Sequence, residues 1–516
     1  MMSNFYLLGY RRARVKILFK LSVLSTSLIA ASSIYAAGPS NAQLQTEIRA
    51  IMKHDQQLQH EVHMLKTQLN SRESHHNYGK NIVRRASPSR TLETANRSTH
   101  VLTDRFDHSV TVTTSPLMGR KSQASDILEQ MSKDDQQLTL LQQRAALIRA
   151  LHKEGDEHLY RPIIELSGGL EGQLYGVNGF GEGSNPDGIN LATAELDVAG
   201  IVGPWAGGFM ALDYDNSPVS SGNRSPKATV YLDRGFVTFG NLNRFPLYVS
   251  VGEMYVPYGR YGSLMLTTPI TQSLARTKSD TAMLGYAQYG VYAELFAYNG
   301  AMTSGGTRVF KQGGLDAGYT RNFGPNGADN FRVGASVESN IADSQGLQNT
   351  GVDSNSGHFQ GFSSGNNNSL QHRVPALALY ANATYHNFTG IFSYEGAARD
   401  FAVNDLAYGN TGSNLSGARP QAMHFELNYT IHVLNKPFTF GADYDRSWQA
   451  LAANLPKQSF TADLQTSWFR NTLETIEYRH DDDYSTTKSA NGAGGTAFSG
   501  TGKTRNSYIA QLGVYF

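Results

Sequence analysis

Tyr508-Ile509-Ala510-Gln511-Leu512-Gly513-Val514-Tyr515-Phe516 closes the chain with an apolar residue at every second position. In an extended strand, successive side chains point to opposite faces, so Tyr508, Ala510, Leu512, Val514 and Phe516 share one face. Such a face, ending on an aromatic residue, is what the last strand of a bacterial outer-membrane barrel turns toward lipid. Tyr508, Leu512, Val514 and Phe516 therefore read as the signal recognised by the outer-membrane assembly machinery. The expected fold is all-β and transmembrane, a 16-stranded antiparallel outer-membrane β-barrel with an N-terminal α-helical coiled-coil extension.

The same period runs back to Pro162. Ile164, Leu166, Gly168, Leu170, Gly172 and Leu174 alternate with Glu165, Ser167, Gly169, Glu171, Gln173 and Tyr175. Alternation of this kind marks a strand between lipid and a polar interior. It predicts sixteen strands: 162–176, 190–202, 205–215, 227–240, 246–256, 281–288, 291–299, 312–323, 329–341, 374–386, 388–397, 421–433, 437–447, 458–468, 471–481 and 504–516. Short links such as Gly203-Pro204, His386-Asn387 and Phe469-Arg470 alternate with long ones at 257–280, 342–373, 398–420 and 482–503. Short periplasmic turns and long external loops in strict order are what barrel topology requires. A soluble sandwich has no reason to alternate in this way.

Upstream of the barrel region 160–516, the chain reads in four parts. Residues 1–36 form a secretory signal, with Arg11, Arg12, Arg14, Lys16 and Lys20 ahead of the apolar stretch Leu21 to Ile34 and small residues at Ala36 and Ala37. That stretch is too short to span a bilayer, which needs about 20 residues. Residues 37–70 carry a heptad seam, Leu44, Ile48, Ile51, Asp55, Leu58, Val62, Leu65 and Leu69, which predicts a short coiled coil. Residues 71–123 hold nine basic and four acidic side chains and few apolar ones, the composition of a disordered linker, apart from an apolar patch at Val110 to Leu117 that can dock locally. Residues 124–156 predict a second helix, whose Met131, Lys133, Asp135, Gln136, Gln137 and Leu138 echo Ile51, Lys53, Asp55, Gln56, Gln57 and Leu58. The two helices could pair within one chain, between chains in a homo-oligomer, or with a periplasmic partner.

Composition narrows the function. Cys is absent, which excludes disulfides, thiolate metal sites and cysteine catalysis. Gly 51, Tyr 27 and Phe 24 beside 17% charged residues suit strands, tight turns and aromatic girdles. Without the five signal cations, 39 basic side chains face 43 acidic ones, so nothing points to nucleic acid. His60-Glu61-Val62-His63 lacks the spacing of a zinc-protease helix, and His75-His76 is a weak metal catcher at most. No catalytic site, resident metal or cofactor is expected; the partners expected are membrane lipid and a small solute.

By parity the lumen receives Glu165, Glu171, Glu195, Asp197, Asp213, Glu253, Asp316, Glu338, Glu426, Asp443 and Asp463, with Arg332 among few strand cations. Residues 160–516 contain 23 basic and 29 acidic side chains, a balance that favours cations unless loop arginines pair with the wall. A compact plug domain is not expected upstream. The connection 257–280, with Arg260, Arg276 and Lys278, is the candidate constriction if it folds into the pore, and a lid if it stays outside. The candidate solute-contacting set is thus Arg260, Arg276, Lys278, Arg332 and Glu253.

At Leu232-Asp233-Arg234-Gly235-Phe236-Val237-Thr238-Phe239-Gly240-Asn241, followed by Gly252-Glu253-Met254-Tyr255-Val256-Pro257-Tyr258-Gly259, the chain resembles the LbtU-like siderophore porins. The order of signal, coiled coil, linker and barrel is similar to theirs. The resemblance implies uptake of a ferric siderophore through a barrel without a plug domain, and it brings no binding residues with it. A general or phosphate-type diffusion porin is the alternative. A third reading is a structural outer-membrane protein tethered through its periplasmic coil.

Overall fold

The computed structural model describes residues 110–112, 135–153, 162–180, 187–215, 230–300, 310–324, 329–352, 354–362, 370–469 and 471–516. The signal, the first coil and most of the linker lie outside the described residues. Sixteen strands form the barrel: β1 Ile163–Gly179, β2 Asp187–Val202, β3 Ala206–Asp215, β4 Tyr231–Gly240, β5 Leu247–Tyr255, β6 Lys278–Gln288, β7 Val291–Asn299 and β8 Phe310–Phe323 in the first half. The second half is β9 Asp329–Glu338, β10 Ala376–Tyr385, β11 Phe388–Ala397, β12 Gln421–Val433, β13 Lys436–Trp448, β14 Gln458–Thr466, β15 Thr472–Asp482 and β16 Thr504–Tyr515. Each pairs antiparallel with its neighbour, and β16 pairs with β1 from Arg505 opposite Gly179 to Tyr515 opposite Gly169. The terminal Phe516 extends that seam by exchanging both backbone hydrogen bonds with Gly168, at 2.8 and 3.0 Å. Closure leaves no open edge in the membrane-spanning sheet, so the backbone polar groups are satisfied within the ladder. No described helix is long and apolar enough to cross a membrane.

All sixteen expected strands are present. The largest shift is at Tyr231, where β4 starts four residues late; the start of β2, the end of β1, the start of β6 and the end of β9 each shift by three. The alternation has the expected sense. Leu170, Leu174, Tyr508, Leu512, Val514 and Phe516 are exposed on the outer face, whereas Ile509, Gln511 and Tyr515 are buried inside. The short connections include Tyr289-Gly290 and Leu434-Asn435, with positive φ at both positions. These are two-residue turns whose twist matches the strands they join.

Aromatic rings collect at both ends of the outer band. Trp205 stacks on Phe239 near the short turns, where Phe323, Phe331 and Tyr385 form a further group and Phe438 meets Trp468. Toward the long loops, Tyr444 meets Phe460 and Tyr478 meets Tyr508. Two aromatic belts around an apolar band are the exterior of an outer-membrane barrel, where amphipathic rings sit at the lipid headgroups.

The long connections fold on one another. Short strands at Leu406–Asn410, Ser416–Gly417, Lys488–Gly492 and Phe498–Ser499 make a small sheet. Beside it lies a core in which Phe362 packs on Phe359 and Phe401. At the opposite rim, Val110–Val112 pairs in parallel with Ile164, Glu165 and Leu166. It occupies the part of β1 that extends past the end of β16, so Val110–Val112, the described part of the linker's apolar patch, docks on the wall.

The seam between β1 and β16 gives the first testable outcome. Phe516→Asp puts a charge on the lipid face beside the closing hydrogen bonds, and should reduce the heat-modifiable, β-rich form recovered in membranes several-fold. Normal recovery would contradict the role given to this strand.

Candidate functional site in the lumen

The connection from Val256 to Thr277 folds into the barrel. Gly259 takes φ +74, a region that L side chains rarely adopt, and its N–H donates to Ser336 Oγ on β9 at 2.8 Å. The chain then crosses to the far wall. Ser263 Oγ and the Leu264 N–H donate to Glu426 on β12 at 2.6 and 3.0 Å. The N–H groups of Leu266 and Thr267 donate to Glu477 on β15 at 2.5 and 3.0 Å, and the Ile270 N–H donates to Asp445 on β13 at 3.2 Å. Hydrogen bonds to ionised carboxylates are roughly twice as strong as neutral ones, so the loop is fixed at several separate points. It returns through a short helix, Ile270–Ala275, whose Ile270, Thr271, Leu274 and Ala275 are buried.

A second element lies inside the wall. The helix Gln136–Lys153, here α1, is the described part of the expected second helix. Among the described residues it packs on lumen-facing side chains. Leu138 and Leu141 join the cluster of Tyr248, Met283 and Tyr292, while Leu147 joins Ile201, Phe209, Phe236 and Met254. Burying a leucine or isoleucine is worth about 1.5–3 kcal/mol, so this apolar face gives a substantial reason to stay inside. At the short-turn rim, Arg144 donates to the carbonyls of Gly240 and Trp205 at 2.6 and 3.3 Å, and Asn243 Nδ2 donates to Ala145 O at 2.8 Å. Burial without a carboxylate partner pushes the Arg144 guanidinium down to about 10.

Deeper in the lumen, the start of α1 is held by two buried arginines. Arg234 Nη1 donates to Gln136 Oε1 at 2.6 Å, and the same guanidinium pairs with Glu195 at 2.8 Å and Asp233 at 3.0 Å. A register shift between Ala211 and Leu212 lets both Asp233 and Arg234 lie buried, although they are adjacent in sequence. A β-bulge re-aims side chains in this way. Arg260 pairs with Asp135, with Asp316 at 2.6 Å and with Glu294 at 3.3 Å, and lies near the rings of Tyr292 and Tyr380. Burial alone would lower its pKa; Asp135 and Asp316 outweigh that and hold it well above the ordinary arginine value.

The residues singled out by sequence divide accordingly. Arg260 is buried in a network that ties loop to helix, so it does not present a free charge to solute. Arg276 is half-buried, stacks 4.3 Å from the Tyr255 ring and donates to Gln345 Oε1 at 3.2 Å. Lys278 is the first residue of β6, 3.4 Å from Asp233 and 3.6 Å from the partly exposed Glu253. Arg332 keeps about a third of its side chain exposed, 3.9 Å from Asp135. Arg276, Lys278 and Glu253 thus gather around Tyr255 and Asp233, while Arg332 belongs with the helix start. The reading of the sequence missed Arg234 and Glu477 in the lumen, and it placed Glu426 there without its role as a loop anchor. The first lies in the quoted motif at Leu232–Asn241, but a bulge leaves no mark in a period-two pattern.

A closed sixteen-stranded barrel with apolar exterior, aromatic belts and a lumen crossed by its own loop is an outer-membrane barrel of porin-like build. The chain belongs to the UPF0422 family. It is 37% identical over 418 residues to UPF0422 protein lpg2959 of Legionella pneumophila subsp. pneumophila strain Philadelphia 1, covering 78% of this chain and 76% of that one. A UPF0422 protein of Coxiella burnetii strain RSA 493 is 37% identical over 364 residues, 69% of this chain and 72% of the relative. No family model matches. Among solved structures, the anion-selective porin from Comamonas acidovorans covers 69% of this chain and 100% of its own at 11% identity and TM-score 0.43. Salmonella typhi OmpF in complex with daunomycin covers 68% of this chain and 97% of its own, at 11% identity and TM-score 0.41. At these scores the fold rests on the strand pairing itself.

Removing one partner of a buried charge network leaves the others uncompensated, at a cost of roughly 3–5 kcal/mol. Arg260→Gln should therefore lower the temperature at which the folded band converts to the unfolded one on gels. Arg276→Gln, on a half-buried side chain with one exposed hydrogen bond, should change stability by only about 0.5 kcal/mol. Equal effects of the two would contradict the division between structural and solute-facing cations.

Proposed function

We propose that this protein is a selective outer-membrane channel of the porin type, without catalytic activity, and that its solute is a ferric siderophore of polycarboxylate type. The observation that carries selectivity is the occupied lumen: the segment Val256–Thr277 is anchored on the wall opposite its own strands, and α1 lines the wall beside it. A lumen narrowed by two elements suits a chosen solute better than general diffusion. The resemblance at Leu232–Asn241 and Gly252–Gly259 supports a siderophore as that solute.

Charge is compatible with an anionic cargo. Glu426, Asp445 and Glu477 accept hydrogen bonds from loop amides, and Glu294 and Asp316 pair with Arg260. The acidic excess of the wall is therefore largely engaged by the chain itself. Arg276, Lys278 and Arg332 retain partial exposure and form the cationic contacts left for solute.

The test is paired transport measurement in cells lacking the native protein. Arg276→Gln with Lys278→Gln should lower uptake of a labelled ferric polycarboxylate siderophore about tenfold, the lower end of what a focused field does to an association rate. Leakage of a small neutral sugar should stay nearly unchanged. Equal loss of both would favour a general or phosphate-type diffusion porin, and no loss of either would remove these cations from the solute path.

A further inference from the structure

We propose that the lumen wall holds a divalent transition-metal site made by His424 on β12 with Asp443 and Asp445 on β13, beneath the infolded loop. Register places His424 opposite Asp445 and Glu426 opposite Asp443, so one imidazole and three carboxylates form a two-by-two patch on the inner face. One ligand atom from each of His424, Asp443 and Asp445 lies within 4.8 Å of the others. All three side chains are buried.

The decisive group is Asp443. It is only 3% exposed, and the donor that faces it is the Thr461 hydroxyl, with the charge of Arg479 on β15 nearby. Thr461 lies directly opposite it on β14, and Arg479 is itself committed to Asp481 at 2.8 Å. Two buried carboxylates side by side, one of them met by a single hydroxyl, favour a further cation between them. Its neighbours are otherwise committed: Asp445 accepts from the Ile270 N–H at 3.2 Å, and Glu426 accepts from Ser263, Leu264 and Asn428.

The histidine is already arranged as a metal ligand would be. Its Nδ1 faces Asp445 Oδ1 at 2.8 Å, and its Nε2 faces Glu426 Oε2 at 3.2 Å. A metal between Nδ1 and Asp445 takes the place of the shared proton, while Nε2–H donates to Glu426. That second contact is the carboxylate hydrogen bond that orients metal-bound histidines. Ligand atoms about 2.1 Å from a tetrahedral zinc are about 3.4 Å apart, so Nδ1 and Oδ1 need to separate by about 0.6 Å. One nitrogen and two carboxylate oxygens suit zinc, manganese or iron(II) better than calcium. Because Asp445 and Glu426 also hold the Ile270 and Leu264 amides, the ion would tie the loop to the wall. This site does not depend on which solute the channel admits.

The experiment uses the full chain, folded in detergent and stripped with a chelator. Zinc and manganese are added separately, and bound metal is counted after desalting alongside calorimetric titration. One ion per chain is expected, with affinity reduced at least tenfold in Asp443→Asn and in His424→Gln. Glu426→Gln should weaken binding by a factor of about 10–100. Asp443→Asn is the cleaner variant, since that side chain holds none of the loop amides and an amide can still meet Thr461, and heat-modifiability confirms that it folds. Failure of the wild-type chain to retain either metal would overturn the proposal. So would undiminished binding by folded Asp443→Asn, leaving His424 as an imidazolium paired with Asp445 and Glu426.

Discussion

A closed barrel with an apolar exterior must place its polar side chains inside, and in this protein most of those carboxylates are buried rather than bathed in an open channel. Everything in the lumen follows from giving them partners. Loop amides meet Glu426, Asp445 and Glu477; Arg260 meets Glu294, Asp316 and Asp135; Arg234 meets Glu195 and Asp233. An unpaired buried carboxylate is expensive. Loop and helix are therefore held inside by the same need that makes the wall polar.

The two elements are also coupled. Arg260 leaves the loop and reaches Asp135 at the start of α1, and Arg332 approaches the same carboxylate from β9. Displacing the helix would strip a counter-charge from Arg260, and moving the loop would do the same to Asp135. Arg234, placed by the bulge in β4, adds a second hold through Gln136. The loop thus depends on a segment that precedes the barrel in sequence.

The barrel was legible because its signal is local. Alternation at Ile164–Tyr175 and Tyr508–Phe516 reports which side chain faces lipid, and strand number follows by repetition. The placement of α1 was not legible. Leu138, Leu141, Leu147 and Ile148 have a helical spacing that suits a coil partner and a barrel wall equally well, and no local pattern states which one is available. The candidate cations were similarly ambiguous. Arg260, Arg276 and Lys278 look alike in sequence, and only their distances to Asp135, Tyr255 and Asp233 separate a buried clamp from two partly open charges. Parity assigned Glu426 to the lumen and the structure buries it there, but parity does not reveal that amides from Leu264 to Ile270 would come to meet it together with Glu477 and Asp445.

The central claim, that α1 occupies the lumen, is tested most directly by joining it to the wall. The chain has no cysteine, so an introduced pair is unambiguous. Gln137 Nε2 lies 3.8 Å from Met283 Sδ on β6. With Gln137→Cys and Met283→Cys combined, a short thiol crosslinker applied to intact membranes should give a faster-migrating internally joined species in most molecules. A double variant that folds, reacts fully with a thiol label and forms no internal crosslink would place the helix elsewhere and contradict the account.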